Sequence, residues 1–190
     1  MAVVIGMLRG VNVGGRNKVK MDALRELCGS LRLSGACTHL QSGNVVFQAP
    51  DQSVASLAAK IEGGIERTFG FHSAVILRTP AEMKEIIAKN PFAARESVDP
   101  AKLLVYFLAR DPGEEARQKI SKIDTGPELL HMATREIYIY FTNGMARPKL
   151  SLAAVDRALK IPATGRNWNT VTKLLEMAEG INFLATNEHK

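Results

Sequence analysis

The chain has 190 residues, of which 46% are apolar and 23% charged, and its net charge is +6. This is long enough to bury a core, the composition excludes disordered and fibrous classes, and no run reaches the roughly 20 apolar residues of a membrane span. The first apolar run, Ala2 to Leu8, meets Arg9 at once and has neither a basic leader nor a small-residue cleavage site, so a soluble cytoplasmic protein is expected.

Ala2 to Leu8 is rich in Val and Ile, as a buried strand is. Arg9 to Lys20 follows as a loop with four cations, three glycines, two asparagines and no acid. Met21, Leu24, Leu27, Cys28 and Leu31 then fall at helical spacing, and Gly35 closes that unit. Cys37 to Gln41 and Val45 to Gln48 read as strands joined by Ser42-Gly43-Asn44, a hairpin signal because Gly and Asn tolerate left-handed backbone. A helix over Val54 to Phe69, stopped by Gly70, and a strand from His72 to Arg78 complete the order strand, helix, strand, strand, helix, strand of the ferredoxin-like split unit.

Thr79-Pro80-Ala81-Glu82 supplies an N-cap, a first-turn proline and an acidic first turn, which predicts a linker helix to about Lys89, terminated by Asn90-Pro91. A strand (Lys102 to Ala109), a helix (Pro112 to Ile123), two strands (Glu128 to Ala133 and Glu136 to Phe141) and a helix (Leu152 to Leu159) then repeat the order. The last helix is predicted from near Asn167 to Ala178, so the second half ends in a helix where the first ends in a strand. The fold class is α/β (α+β), with two ferredoxin-like βαββα(β) halves in tandem. They span 1–79 and 102–179, with a linker helix and loop at 80–101 and a tail at 180–190 whose one apolar cluster is Ile181 to Leu184.

Charge is unevenly spread. Residues 1–49 hold six Lys/Arg against two acids, residues 50–144 twelve against thirteen, and residues 145–190 seven against four. The ends are basic, which makes an anion-attracting patch if the fold brings them together. Cys28 lies on a helix's apolar stripe and Cys37 at a strand's start, positions where a buried thiol acts as a small hydrophobe. Their spacing matches no metal motif, no His or Asp is placed to activate either thiol, and His39, His72, His131 and His189 are scattered as structural histidines are.

Gly10-x-x-x-x-Gly15-Arg16-Asn17, between a strand and a helix, has the layout of the phosphate loop of ATPases and GTPases. That loop needs Lys and then Ser or Thr after its second glycine, and Asn17 does not replace the magnesium-holding hydroxyl. No Gly-x-Gly-x-x-Gly dinucleotide fingerprint is present, and no cofactor or metal is predicted. What the segment offers is simpler. Gly14 and Gly15 open the backbone to an anion, Arg9, Arg16, Lys18 and Lys20 supply charge, and Asn12 and Asn17 either face a ligand or brace the loop. Thr164 to Thr170 reads as the polar entrance of the last helix. There Asn167 is a cap or a ligand, Arg166 a phosphate contact, and Trp168, the only tryptophan, a stacking platform or a packed side chain.

The pieces Leu8 to Gly15, Asn17 to Val19, Met21, Leu24, Gln41 to Phe47 and Arg166 to Val171 resemble the mostly bacterial family known as domain of unknown function 1697, from Val4 to about Ala178. The resemblance implies a two-lobed α/β fold and brings no reaction, cofactor or catalytic residue. Two functions stand. One is a binding module for a phosphate-bearing partner, nucleic acid or nucleotide. RNA-binding sheets of this kind stack bases on exposed aromatics, and here only Tyr138 and Tyr140 alternate onto one face. The other is a small-molecule enzyme or sensor for an anionic metabolite, with Arg9, Asn12, Arg166 and Asn167 converging in a cleft between the halves. The sequence shows no general base or nucleophile for it and sets no oligomeric state.

Overall fold

The computed structural model describes residues 1–50, 53–94 and 98–187. The first half runs β1 (Ala2–Leu8), α1 (Met21–Ser30), β2 (Ser34–His39), β3 (Asn44–Ala49), α2 (Val54–Phe69) and β4 (Val75–Arg78), followed by α3 (Pro80–Ala88). After a 3-10 turn at Pro100–Lys102 the second half runs β5 (Leu103–Leu108), α4 (Gly113–Ser121), β6 (Leu129–Met132), β7 (Glu136–Tyr140), α5 (Leu152–Leu159) and β8 (Ala163–Asn167), followed by α6 (Trp168–Asn187). Each half forms one four-stranded antiparallel sheet, ordered β2-β3-β1-β4 and β6-β7-β5-β8. This is the tandem ferredoxin-like architecture expected.

The segment that differs is 163–167. Its residues predict a helix entrance, yet Ala-Thr-Gly-Arg-Asn is strand β8, registered on β5 from Leu108↔Ala163 to Leu104↔Asn167. Its composition has little strand propensity; the edge of β5 imposes the conformation. Both halves are therefore βαββαβ, each followed by a helix. The last helix also passes its expected end at Ala178 and runs to Asn187, through most of the expected tail. Residues 188–190 of that tail, including His189, lie outside the described residues.

Local chemistry explains the other boundaries. Thr79 and Glu82 form a capping box at α3, with Thr79 Oγ1 accepting from the Glu82 amide at 3.1 Å and Glu82 accepting from the Thr79 amide at 2.7 Å. Ser53 and Ser151 cap α2 and α5 in the same way, each accepting an amide at 3.2 Å, and Gly70 ends α2 in the left-handed region. The helix-facing side of the first sheet packs Val4, Leu8, Val45, Phe47 and Leu77 with Leu24, Leu27, Ile61 and Ile65. In the second, Leu108, Ile137 and Ile139 pack with Ile120, Val155 and Leu159.

The chain divides into two compact units, Met1–Lys84 with the chain from Thr172 onward, and Glu85–Val171. Within each unit the sheet face turned away from these helix-facing cores is buried as well, through Val3, Ile5 and Met7 on β1 and through Leu103, Val105 and Phe107 on β5. No helix of the described residues is long and apolar enough to cross a membrane.

Candidate functional site

The connection from β1 to α1, residues 9–20, is the longest departure from the internal repeat. The equivalent connection from β5 to α4 is the four residues 109–112. The topology needs only the short form, so the extra length serves something other than closure of the fold.

The long connection is held by its own asparagines. Asn12, at φ +56°, donates through Nδ2 to Val19 O at 2.9 Å and to Gln41 O at 2.7 Å, while its Oδ1 accepts from the Val19 amide at 2.9 Å. Asn17 donates through Nδ2 to Gly10 O at 3.1 Å, and its carbonyl accepts from the Asn12 amide at 3.1 Å. Gly14 and Gly15, at φ +58° and +77°, are the central residues of a turn closed by the Arg16 amide on Val13 O at 3.1 Å, and two successive positive φ values suit glycine. The asparagines are thus braces, and the glycines shape a turn.

That brace also unites two of the sequence motifs. Leu8 N donates to Gly43 O at 2.9 Å, so the loop and the β2–β3 hairpin are fastened at Leu8, Asn12, Gln41 and Gly43. In the hairpin Gly43 takes the left-handed conformation, as expected, but Leu40 shares it and Asn44 does not. Asn44 instead opens β3 fully buried, donating through Nδ2 to His39 O at 3.1 Å and Ser42 Oγ at 2.9 Å. Gln41, expected at the end of a strand, lies in the turn.

The cations stand on this frame. Arg9, Arg16, Lys18 and Lys20 are exposed, and Arg16, Lys18 and Lys20 have no hydrogen-bonding or ionic partner for their side chains among the described residues. Lys20 is also the residue before α1, in extended conformation and giving no side-chain cap, so the first amides of α1 keep their partial positive charge. Beside them lies a cavity of about 430 Å³ lined by Lys20, Asp22, Arg25, Thr38, Leu40 and Gln41. Arg25 carries no motif signal in the sequence. It follows Met21 by one helical turn, and that spacing places it on the face of the helix start. It donates to Thr38 Oγ1 at 2.6 Å and is paired with Asp22.

The third motif lies in the other unit. Arg166 is only 7% exposed, donates to Thr164 Oγ1 and Gly165 O at 2.8 Å each, and burial lowers its pKa to about 10. It has a twin. In the register of each sheet Arg78 opposes Ile5 as Arg166 opposes Val105, and Arg78 is also buried and donates to the preceding carbonyl, Leu77 O, at 2.8 Å. A buried arginine at this position is a repeated part of the architecture. Asn167 caps α6 by accepting from the Asn169 amide at 2.9 Å and donates to Ala101 O at 3.0 Å. Trp168 begins α6 half-buried.

Tyr138 is 1% exposed and donates to Ile86 O at 2.8 Å, while Tyr140 is half-buried against Phe92 with ring centroids 6.1 Å apart. The second sheet therefore offers no exposed pair of tyrosines to stack bases. Among the described residues no three His, Cys, Asp or Glu side chains gather around a metal-sized space.

The two thiols separate sharply. Cys28 is buried and its pKa is pushed up to about 11 by that burial, but Cys37, expected inside, is exposed on β2. Native protein is expected to react rapidly with Ellman's reagent at about one thiol per chain, and Cys37→Ser to abolish that phase. Two fast thiols in the native state would contradict the burial of Cys28.

Comparison with known proteins gives a family and a fold. No curated protein matches the chain. The structure of the conserved bacterial protein SP0830 from Streptococcus pneumoniae is similar, with a TM-score of 0.68 and 24% identity over 93% of this chain and 98% of that one, a likeness of fold. The family model described as protein of unknown function (DUF1697) matches residues 1–138, which include the loop and hairpin motifs and stop short of Arg166. With most of its length matched, the chain belongs to the DUF1697 family.

Proposed function

We propose that this protein is a binding module for a phosphate-bearing partner, nucleic acid or nucleotide, engaged through the β1–α1 loop. The observation that carries this reading is the set of exposed Arg16, Lys18 and Lys20, without side-chain partners among the described residues, on a loop already braced by Asn12 and Asn17. A pre-ordered display loses little entropy on binding, and arginine grips phosphate with parallel donors. Gly14 and Gly15 keep side chains out of the approach, and the uncapped start of α1 adds positive potential. The buried Arg166 and the bonded Asn167 have no part in this site. Two free thiols fit a reducing, cytoplasmic setting.

Fluorescence anisotropy with a labelled single-stranded RNA of mixed sequence tests the reading. Affinity is expected to fall linearly with salt on logarithmic axes. The combined variant Arg16→Ala, Lys18→Ala, Lys20→Ala is expected to bind at least about tenfold more weakly at low salt, with a slope reduced by about 2, roughly 0.7 for each phosphate no longer neutralised. Its circular dichroism is expected to be unchanged, since none of the three side chains holds the fold. No binding at low salt, or a variant that binds like the parent, rejects the proposal.

The cavity beside α1 favours a second reading, an anionic metabolite held by Lys20 and Arg25, because its volume suits a small ligand. A thermal shift with phosphorylated metabolites, lost in Lys20→Ala and unaccompanied by RNA binding, would select this alternative.

A further inference from the structure

Each half has a cavity between its first helix and its outer strand. In the second half, between α4 and β6, the volume is about 440 Å³ and the apolar lining includes Ile120, Ile123, Leu130 and Met132. Its arginine, Arg117, is committed to Asp111 at 3.0 Å, Ala133 O at 2.8 Å and Thr134 O at 2.9 Å. In the first half, between α1 and β2, the cavity of about 430 Å³ has an arginine at the same place, the fifth residue of the helix, and Arg25 is likewise committed, to Asp22 and Thr38 Oγ1. The repeated fold makes the space twice, and the sequence gives the two spaces different walls.

Two wall residues set the first cavity apart. Lys20 is without a side-chain partner among the described residues and belongs to the exposed cations of the β1–α1 loop. Leu40 is 59% exposed and stands at φ +56°. An exposed leucine alone means little, but leucine is also poorly suited to left-handed backbone, where asparagine or glycine would serve the turn better. The strain is held at the wall of a cavity, beside a cation, and folding does not require it. The polar groups around them are the Thr38 hydroxyl, which accepts from Arg25 and keeps a proton to donate, and the Gln41 carboxamide, without a hydrogen-bond partner among the described residues.

We infer that this cavity takes one unpaired base of a nucleic-acid strand whose phosphates are held by Arg16, Lys18 and Lys20. The inference rests on the binding of nucleic acid through the β1–α1 loop, and it adds that the strand is single. The walls ask three things of an occupant: an anion for Lys20, an apolar face for Leu40, and donors and acceptors around the edge for Gln41 and Thr38. A nucleotide unit carries all three. A phosphorylated sugar lacks the apolar face, and an acyl chain lacks the polar edge. A volume of about 430 Å³ accommodates a base with its ribose. In a duplex the base faces are taken up by stacking and the base edges by pairing, so only an unpaired base enters. Leucine presents the same face to every base, so the cavity separates single from double strand rather than one sequence from another.

Competition against a labelled single-stranded RNA of mixed sequence, followed by fluorescence anisotropy, tests the assignment. An abasic strand of equal length, which keeps the charge and loses the bases, is expected to compete at least about tenfold less well than the unlabelled RNA, and so is the RNA annealed to its complement, despite its doubled charge. Leu40→Asn, which relieves the left-handed strain, is expected to melt no lower than the parent yet to bind single-stranded RNA about fivefold more weakly. Its salt slope is expected to match the parent's, because no phosphate contact is lost. Equal competition by the abasic strand or by the duplex, or a Leu40→Asn variant that binds like the parent, overturns the base-binding cavity and leaves the phosphate-binding loop standing. The competition decides even if Leu40→Asn fails to fold. A parent chain that binds no RNA at low salt removes the loop reading and this inference with it.

Discussion

Replacing Asn12 by Ala is expected to destabilise the protein by about 2–4 kcal/mol, from the removal of three hydrogen bonds at a net of roughly 1 kcal/mol each and from a left-handed backbone that alanine tolerates poorly. The Asn12 carboxamide donates to Val19 O and Gln41 O and accepts from the Val19 amide. Its removal strands polar backbone groups at the join between the loop and the hairpin. Asn12→Gly keeps the φ of +56° accessible and is expected to cost less than Asn12→Ala, the difference reporting backbone strain. Urea unfolding of both variants measures this. A cost below about 0.5 kcal/mol for alanine, the range of an ordinary surface change, would show that the carboxamide is not the brace. Because the cations depend on that frame, Asn12→Ala is also expected to weaken RNA binding although it leaves every charge in place.

Gly43→Ala tests the other side of the same join. A Cβ at residue 43 would stand 2.8 Å from Leu8 Cβ and 3.4 Å from Val11 Cβ, atoms fixed by the backbone, and the residue's φ is +71°. Left-handed strain of about 1–2 kcal/mol and overpacking of about 1–3 kcal/mol together give an expected loss of about 2–5 kcal/mol. Gly10→Ala is the internal control. Its φ of +67° is similar, but nothing lies within 4 Å of the added carbon, so only the strain is expected. Equal costs for the two substitutions would remove close approach as the reason for Gly43.

Most of the fold was legible in the sequence. Met21, Leu24, Leu27 and Cys28 are buried on α1 as their spacing required, α2 and α5 have the expected bounds, and Thr79 to Glu82 caps α3 as read. The loop's cations, glycines and asparagines were equally visible. Their division of labour was not, since Asn12 reaches a carbonyl 29 residues away and only the folded chain brings Gln41 to it. Arg166 looked like a surface cation by type, but the folded chain buries it.

Local order along this chain, helical spacing, capping and turn chemistry, follows from interactions among near neighbours, and the sequence alone determined it together with the repeated element order. Tertiary pairing decided the strand identity of residues 163–167, and packing on the sheets decided the exposure of Cys37 and the burial of Arg166. The physical reason is that β5 supplies the hydrogen-bonding partners that hold Ala-Thr-Gly-Arg-Asn extended, a force that no reading of those five residues contains.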